Sequence, residues 1–133
     1  MEGDKKKILI VDDDNFLLDM YALKFSQNNF EVYTAPSGEE GIKKLQDGLV
    51  PDVILMDIIM PEMDGFEMLE KIKKDNLSKN SVEIILSNKS QQSDIDRGNE
   101  LGVAGYIVKA NSTPKEVIEQ VVDILSKKIV SAK

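Results

Sequence analysis

Short apolar runs rich in β-branched residues, each followed by polar residues, constrain the fold of this 133-residue chain more than any other feature. Runs of three or four such residues suit strands that are buried on both faces of a sheet. Four are present: Ile8–Val11, Val53–Met56, Ile84–Leu86 and Tyr106–Val108. Glu31–Thr34 alternates more strongly, which predicts a fifth strand towards the edge of the sheet.

Amphipathic helical patterns lie between the predicted strands. Asn15–Gln27 places apolar residues at the i, i+3, i+4, i+7 spacing of one helix face, and Gly38–Gln46 has a weaker pattern. Further helices are predicted around Phe66–Ile72, around Gln91–Leu101 and after Thr113. Because strand and helix alternate five times, the sequence predicts an α/β fold, a doubly wound parallel sheet with helices on both faces.

The last two helices differ in how well the sequence supports them. Thr113 is the predicted N-cap of the last helix, with Pro114 at its first position and Glu116 completing a capping box. The apolar stripe of that helix consists of Val117, Ile118, Val121, Val122, Ile124 and Leu125. The helix around Gln91–Leu101 has few large apolar residues, and Gly98 inside it costs about 1 kcal/mol relative to Ala. We expect that helix to be the least firmly packed.

Composition excludes several classes of function. Acidic residues outnumber basic ones by 24 to 17, giving a net charge of −7, and Arg97 is the only arginine, so direct nucleic-acid binding is disfavoured. The chain has no cysteine and no histidine, which leaves carboxylates, hydroxyls, lysine and the backbone for chemistry. The apolar run after the basic N-terminus is too short for a signal peptide or a membrane span. We therefore expect a soluble, cytoplasmic protein with no membrane association.

Polar residues follow four of the predicted strands, at the sheet edge where doubly wound folds bind their ligands. They are Asp12, Asp13 and Asp14, then Asp57, then Ser87 and Asn88, and finally Lys109. Because these strand ends converge, we expect one shared pocket. Clustered carboxylates suit Mg²⁺, and together with a lysine and a hydroxyl they can stabilise a transferring phosphoryl group. A carboxylate can also accept that group itself.

Single members of this set have simpler explanations. Asp14 abuts the first predicted helix, and we interpret it as a helix N-cap. Lys109 taken alone would be an ordinary solvated loop lysine. Asp57 is different, because apolar residues lie on both sides of it, and a buried carboxylate needs a counter-charge or a cation.

Four segments of the chain match a known pattern: Ile8–Asp13 (ILIVDD), Asp52–Gly65 (DVILMDIIMPEMDG), Ile84–Asn88 (IILSN) and Gly105–Lys109 (GYIVK). They resemble the receiver domain of two-component response regulators, in the chemotaxis-regulator-like single-domain form. The Met-Pro and Asp-Gly pairs after Asp57 make the second segment highly specific. The resemblance implies a flavodoxin-like sheet of order 2-1-3-4-5 with five helices. It also implies a domain over residues 5–128 and a C-terminal tail over 129–133.

The resemblance further implies a phosphorylation-dependent signalling switch rather than an enzyme. Asp57 would accept a phosphoryl group from a histidine kinase or phosphotransfer protein, in a reaction that needs Mg²⁺. Asp13, Asp57 and the Ile59 carbonyl would ligate the ion, and Asp12 would act through water. Lys109 would pair with the phosphoryl oxygens.

Two further residues take switch roles by the same resemblance. Ser87 would turn towards the phosphoryl group, and Tyr106 occupies the aromatic switch position, with a half-buried strand tyrosine as the plain alternative. Phosphorylation would then change the face formed by the fourth helix, the fifth strand and the fifth helix. A downstream protein or a second copy of the chain would bind this face.

The sequence departs from the usual family pattern at the pocket. Ala110 follows Lys109 where a cis proline is common, so we expect a trans bond and a shifted loop. Asn88 is larger than the usual residue, and we expect it to line or crowd the pocket. Ser87 replaces the commoner threonine and loses a methyl group that restricts χ1.

Two residues that flank the path of the attacking water in this family are Ile59 and Lys89. A branched apolar side chain cannot orient water, so Ile59 predicts slow hydrolysis of the phosphorylated form. The alternative is that Ile59 only packs against the Met60-Pro61 turn.

Two other functions are compatible with parts of the pattern. A phosphatase resembling the haloacid dehalogenase class would use Asp12 as its nucleophile, with Asp14, Ser87 and Asn88 in support. That class needs acidic residues downstream of the lysine, however, and 110–115 has none. The other alternative is a docking module that works without phosphorylation, against which the complete set of site residues argues.

Overall fold

Five strands alternate with five α-helices, as the sequence predicts. The computed structural model describes residues 5–131, with side chains described as far as residue 127. In chain order the elements are β1 (Lys6–Val11), α1 (Asn15–Gln27), β2 (Phe30–Ala35), α2 (Gly38–Gln46), β3 (Val53–Met56), α3 (Gly65–Lys74), β4 (Val82–Ser87), α4 (Gln92–Glu100), β5 (Gly105–Val108) and α5 (Pro114–Ser131). A short 3₁₀ turn, Lys109–Asn111, connects β5 to α5.

All strand pairs of the described sheet are parallel, and the strand order is 2-1-3-4-5. The predicted order and fold class are confirmed, and β2 lies at one edge. In the register between β1 and β3, Val11 is opposite Met56. The residues that follow these two strands, Asp12 and Asp57, therefore leave the sheet side by side.

The helices cover the sheet in two layers, each with its own hydrophobic core. On one face, α1 and α5 bury their apolar stripes against β1, β3 and β4, and Phe25 packs edge-on against Phe30 at 5.1 Å between ring centroids. On the other face, α2 and α3 bury Ile42, Leu45, Phe66, Met68, Leu69 and Ile72. Alternate residues of each central strand serve the two cores, which explains why these strands are apolar throughout.

The helix starts follow from capping chemistry. Asp14 and Ser37 cap α1 and α2 with their side-chain oxygens, and Asp64 forms a capping box with Glu67 at the start of α3. At α5 the Thr113 hydroxyl accepts from the Glu116 amide, and the Glu116 carboxylate accepts from the Thr113 amide, which confirms the predicted box.

Two expectations change once the packing is known. Val122 is 44% exposed, so its place in the buried stripe of α5 was wrong; Val117, Ile118, Val121 and Leu125 fill the interface and leave Val122 on its solvent-facing flank. Gly98 is buried, and a Cβ there would lie 3.1 Å from the Ile85 side chain. The glycine of α4 is therefore a close approach of the helix to the sheet.

The structure tests the predicted C-terminal tail only in part. Helix α5 continues through Ser131, and Ala132 and Lys133 lie outside the described residues. The boundary of the domain at 128 stays a prediction. Within the part of the chain that the structure describes, no helix is both long enough and apolar enough to cross a membrane.

Candidate functional site

Two carboxylates follow β1, and they differ in burial. Asp12 is 3% exposed, and its Oδ1 accepts a hydrogen bond from the Asp14 amide at 2.9 Å, whereas Asp13 is exposed. The Asp14 side chain turns away to accept from the Leu17 amide at 3.1 Å. The N-cap interpretation of Asp14 is therefore correct, and Asp12 and Asp13 remain for the site.

Asp57 leaves the end of β3 with most of its surface buried, at 8% exposed. Its Oδ1 accepts from the Ile58 amide at 2.6 Å and from the Ile59 amide at 3.2 Å. This turn is held by Gly65, whose amide donates to the Ile58 carbonyl and where a Cβ would lie 2.3 Å from the Asp57 carbonyl oxygen. The Asp-Gly pair after Asp57 thus permits the approach that orients this carboxylate.

Lys109 joins the two buried carboxylates. Its Nζ lies 2.8 Å from Asp12 Oδ2 and 2.8 Å from Asp57 Oδ2, and its side chain is only 12% exposed. Burial by itself would lower the pKa of Lys109, but the hydrogen bonds and charges of the two carboxylates outweigh it and raise that pKa. Burial raises the pKa of Asp12, opposed by Lys109 and the Asp14 amide. The solvated-loop interpretation of Lys109 is excluded.

The acidic residues form a donor set that suits a hard cation. Asp12, Asp13 and Asp57 each offer a carboxylate oxygen, and these oxygens lie within 4.8 Å of one another. One lysine balances only part of this charge, and oxygen-only ligands are what Mg²⁺ selects. The residues present therefore fit the predicted magnesium site.

The hydroxyl group of the pocket lies on β4. Ser87 is fully buried, and its Oγ accepts from the Lys89 amide at 3.2 Å. The Tyr106 hydroxyl donates to the Lys89 carbonyl. Tyr106 is half-buried, and burial together with the charges of Asp94 and Asp57 raises the pKa of Tyr106 to about 12. Both predicted switch side chains thus contact the backbone of one residue.

Asn88 has a role that the sequence reasoning missed. Its Oδ1 accepts from the Ala110 amide at 2.7 Å, which ties the loop after β4 to the turn after β5. Every described peptide bond is trans, including the one before Ala110, as predicted. A proline has no amide proton, so this hydrogen bond requires a residue other than proline at position 110. The co-occurrence of these two departures from the family pattern was the available signal.

Ile59 follows Asp57 by two residues, and its amide holds Asp57 Oδ1 while 60% of its surface is exposed. It lines a cavity of about 420 Å³ together with Ile58, Met60, Asp64 and Lys89. Most of the Ile59 side chain is therefore in contact with solvent.

The geometry is that of an acidic pocket with one lysine and one hydroxyl, and the comparisons with known proteins agree. A family model described as the response regulator receiver domain matches residues 8–127. The chain belongs to this family. Receiver domains are the phosphorylation-dependent switches of two-component systems, and they interact with histidine kinases or phosphotransfer proteins. The predicted family is confirmed, and neither alternative function is favoured.

The similar curated proteins include transcriptional regulators and response regulators. The alkaline phosphatase synthesis transcriptional regulatory protein PhoP of Bacillus subtilis is 32% identical over 127 residues, which are 96% of this chain and 51% of PhoP. Response regulator SaeR of Staphylococcus aureus is 30% identical over 90% of this chain and 50% of its own length. The chain spans about half the length of the curated relatives it matches.

Among solved structures, the CheY-like receiver domain protein of Methanospirillum hungatei aligns with a TM-score of 0.87 and 28% identity, covering 96% of this chain and 99% of that one. Chemotaxis protein CheY4 of Vibrio cholerae aligns with a TM-score of 0.83 and 26% identity, covering 91% and 99%. The match therefore covers 99% of each of these two solved chains, compared with about half of the curated relatives.

Proposed function

We propose that Asp57 accepts a phosphoryl group from the phosphohistidine of a kinase or phosphotransfer protein. The observation that carries this proposal is the position of its carboxylate: Oδ1 is held by two backbone amides, and Oδ2 is paired with Lys109 beside Asp12. An Asp57 oxygen would form the new P–O bond as the P–N bond of the donor breaks, and the donor imidazole would leave with the electron pair.

The surrounding residues supply charge and hydrogen bonds for this transfer. Lys109 is held protonated next to the accepting oxygen, so its ammonium is placed to balance the charge of the incoming group. The Ser87 Oγ already accepts from the Lys89 amide, which leaves its own proton free to donate to a phosphoryl oxygen. Asp12, Asp13, Asp57 and, by family resemblance, the Ile59 carbonyl would hold Mg²⁺, which supplies further charge neutralisation.

Mass spectrometry of the intact protein after incubation with acetyl phosphate and Mg²⁺ tests the assignment. The wild-type chain should gain the mass of one phosphoryl group, and Asp57→Asn should not. Asp75→Asn is the matched control, because Asp75 forms an exposed ion pair with Lys71 at 2.8 Å, outside the acidic cluster. Absence of a gain in the wild type, or an undiminished gain in Asp57→Asn, would contradict the proposal.

A phosphatase that uses Asp12 as nucleophile finds less support. That function would use Asp14 in support, and the Asp14 side chain caps α1 by accepting from the Leu17 amide instead of facing the pocket. The same mass measurement separates the two functions. Loss of the covalent phosphoryl group in Asp12→Asn with its retention in Asp57→Asn would favour the phosphatase.

We also propose that the phosphorylated form hydrolyses slowly. The exposed Ile59 lies next to Asp57, whose carboxylate its amide holds, and its side chain has no polar group to orient an attacking water. Replacing it by asparagine should shorten the lifetime of phosphorylated Asp57 several-fold, measured by the decay of the phosphoryl mass. An unchanged lifetime would show that Ile59 does not shield the site.

The output face is proposed to be α4, β5 and α5, which a downstream protein or a second copy of the chain would contact. Tyr106 and the start of α4 are the parts of this face in closest connection with Ser87 through Lys89. Amide hydrogen exchange with and without beryllofluoride, a phosphoryl mimic, measures the change. Effects confined to α1, α2 and α3 would reject this face.

A further inference from the structure

Lys89 contacts three elements around the phosphorylation pocket, β4, β5 and α4, each through a different group. Its amide donates to Ser87 Oγ, its carbonyl accepts from the Tyr106 hydroxyl, and its ammonium lies 3.2 Å from Asp94 Oδ1. The first two contacts use the backbone. Only the third depends on the side chain at position 89, so it is a property of this sequence.

Asp94 is an unusual residue to bury in a helix that faces a sheet. It is 7% exposed and lies in the first turn of α4, where no large apolar side chain is buried. Its Oδ2 accepts from the Gln91 amide at 3.0 Å, and its Oδ1 is paired with Lys89. A buried carboxylate needs its counter-charge, so the position of this turn depends on where the Lys89 ammonium is.

Lys89 also borders the turn that carries the site of phosphorylation. It lines a cavity together with Ile58 and Ile59, whose amides hold Asp57 Oδ1. Phosphorylated Asp57 would carry a charge of about −1.5 to −2 with three acceptor oxygens, against the single charge of Asp94. It would therefore compete for a flexible lysine side chain that is 43% exposed.

We propose that Lys89 and Asp94 form an electrostatic latch that holds the start of α4 in the unphosphorylated protein. Phosphorylation of Asp57 draws the Lys89 ammonium away and leaves Asp94 without its counter-charge, so the first turn of α4 moves. Asp94 is a positioning residue in this device. The inference rests on the proposed function of Asp57 and adds a charge-driven route to the contacts of Ser87 and Tyr106.

Side-chain variants at these two positions isolate the latch, because they leave the Lys89 backbone contacts in place. Lys89→Met removes the charge at similar length, Lys89→Arg keeps it, and Asp94→Asn keeps an acceptor for the Gln91 amide. Asp75→Asn, which breaks the exposed pair with Lys71 in α3, is the control for loss of an ion pair elsewhere. The Lys89 side chain is 43% exposed and Asp94 is buried, so Lys89→Met is the variant expected to fold if Asp94→Asn is unstable.

The measurement is amide hydrogen exchange of Gln92–Glu100, with Mg²⁺ alone and with Mg²⁺ and beryllofluoride. In the wild-type protein and in the Lys89→Arg and Asp75→Asn variants, beryllofluoride should accelerate amide hydrogen exchange in α4 several-fold. In Lys89→Met and Asp94→Asn the exchange should already be fast without the mimic, with little further increase. The double variant should match the single ones, since either change opens the same latch.

Two results overturn the inference, and they are distinguishable. If the wild type gains phosphoryl mass on Asp57 while Lys89→Met and Asp94→Asn keep the wild-type response of α4, the latch is absent and the proposed function stands. If the wild type gains no mass and α4 does not respond to beryllofluoride, the phosphoacceptor assignment and the latch both fail.

Discussion

The two sides of the pocket differ in the helices that support them. The acidic side, which consists of β1, β3 and α3 with Asp12, Asp13 and Asp57, rests on strands that are buried along most of their length and on a helix that buries Phe66, Met68, Leu69 and Ile72. The hydroxyl side, which consists of β4, α4 and β5 with Ser87, Lys89 and Tyr106, includes a helix whose buried residues are Asp94 and Gly98. The strands of both sides are packed in the cores, and the difference lies in the helices: α3 is fixed by apolar packing, whereas the buried residues of α4 are a carboxylate and a glycine.

This difference suits a switch. A close-packed apolar core resists small displacements, so the acidic side holds its carboxylates in one arrangement whatever is bound there. Ion pairs and hydrogen bonds can be exchanged for others at small net cost, because a new charge can replace an old one. The response to a phosphoryl group should therefore appear on the hydroxyl side.

The largest expected effect is on the free energy of unfolding when one apolar side chain is truncated on each side of the pocket. Leu69→Ala in α3 removes a fully buried side chain and should lower the free energy of unfolding by about 3 kcal/mol. Ile95→Ala in α4 removes a half-buried one and should cost about 1 kcal/mol. Urea unfolding monitored by circular dichroism measures both, and equal losses would break the comparison.

Magnesium should act on the acidic side alone. An ion that binds only the folded protein stabilises it by about 2.7 kcal/mol at 100 times its dissociation constant, so Mg²⁺ should raise the urea midpoint of the wild type. Asp13→Asn should remove most of this gain, because Asp13 is an exposed member of the carboxylate cluster whose loss does not disturb the core. Hydrogen exchange should slow in β1 and β3, whereas protection confined to α4 would place the ion elsewhere.

Replacement of the α4 glycine tests how closely the hydroxyl side packs. Gly98→Ala would gain about 1 kcal/mol from helix propensity alone. The new Cβ would lie 3.1, 3.3 and 3.4 Å from side-chain atoms of Ile85, Val103 and Tyr106, however, and we expect a net loss of stability. Asn99→Ala, at an exposed position of the same helix, should instead gain a few tenths of a kcal/mol. A Gly98→Ala protein that is more stable than the wild type would show that α4 can move away freely.

The smallest effect concerns Tyr106 and becomes measurable only as the pH rises above 10. Its pKa of about 12 lies above the ordinary value of 10.0, so the folded state favours the protonated phenol. This contribution to stability is fully present below pH 10 and is lost as the pH rises towards 12. Ultraviolet absorbance of tyrosinate is measured against pH in the wild type and in Tyr106→Phe. The difference between the two curves, which reports Tyr106 alone, should have its midpoint near pH 12. A midpoint near 10 would mean that Tyr106 is not held in its half-buried position.

Local patterns in the sequence determined much of the fold. The bounds of α1 and α2 and the capping box at Thr113 were predicted correctly, because capping and periodicity depend on residues only a few positions apart. The convergence of Asp12, Asp57, Ser87 and Lys109 was also predictable, since the carboxyl ends of neighbouring parallel strands meet at one edge of the sheet.

Contacts between distant segments were decided only by the tertiary structure. Lys109 pairs with carboxylates 97 and 52 residues away, and the Asn88 side chain binds the Ala110 amide across 22 residues. Whether Gly98 weakens α4 or lets it approach Ile85 depends on the distance between helix and sheet, which no local pattern encodes. Residue types and their periods determined the elements and the composition of the site. Its pairings, and the side of the pocket that is free to move, were set by the side chains that packing brings within reach.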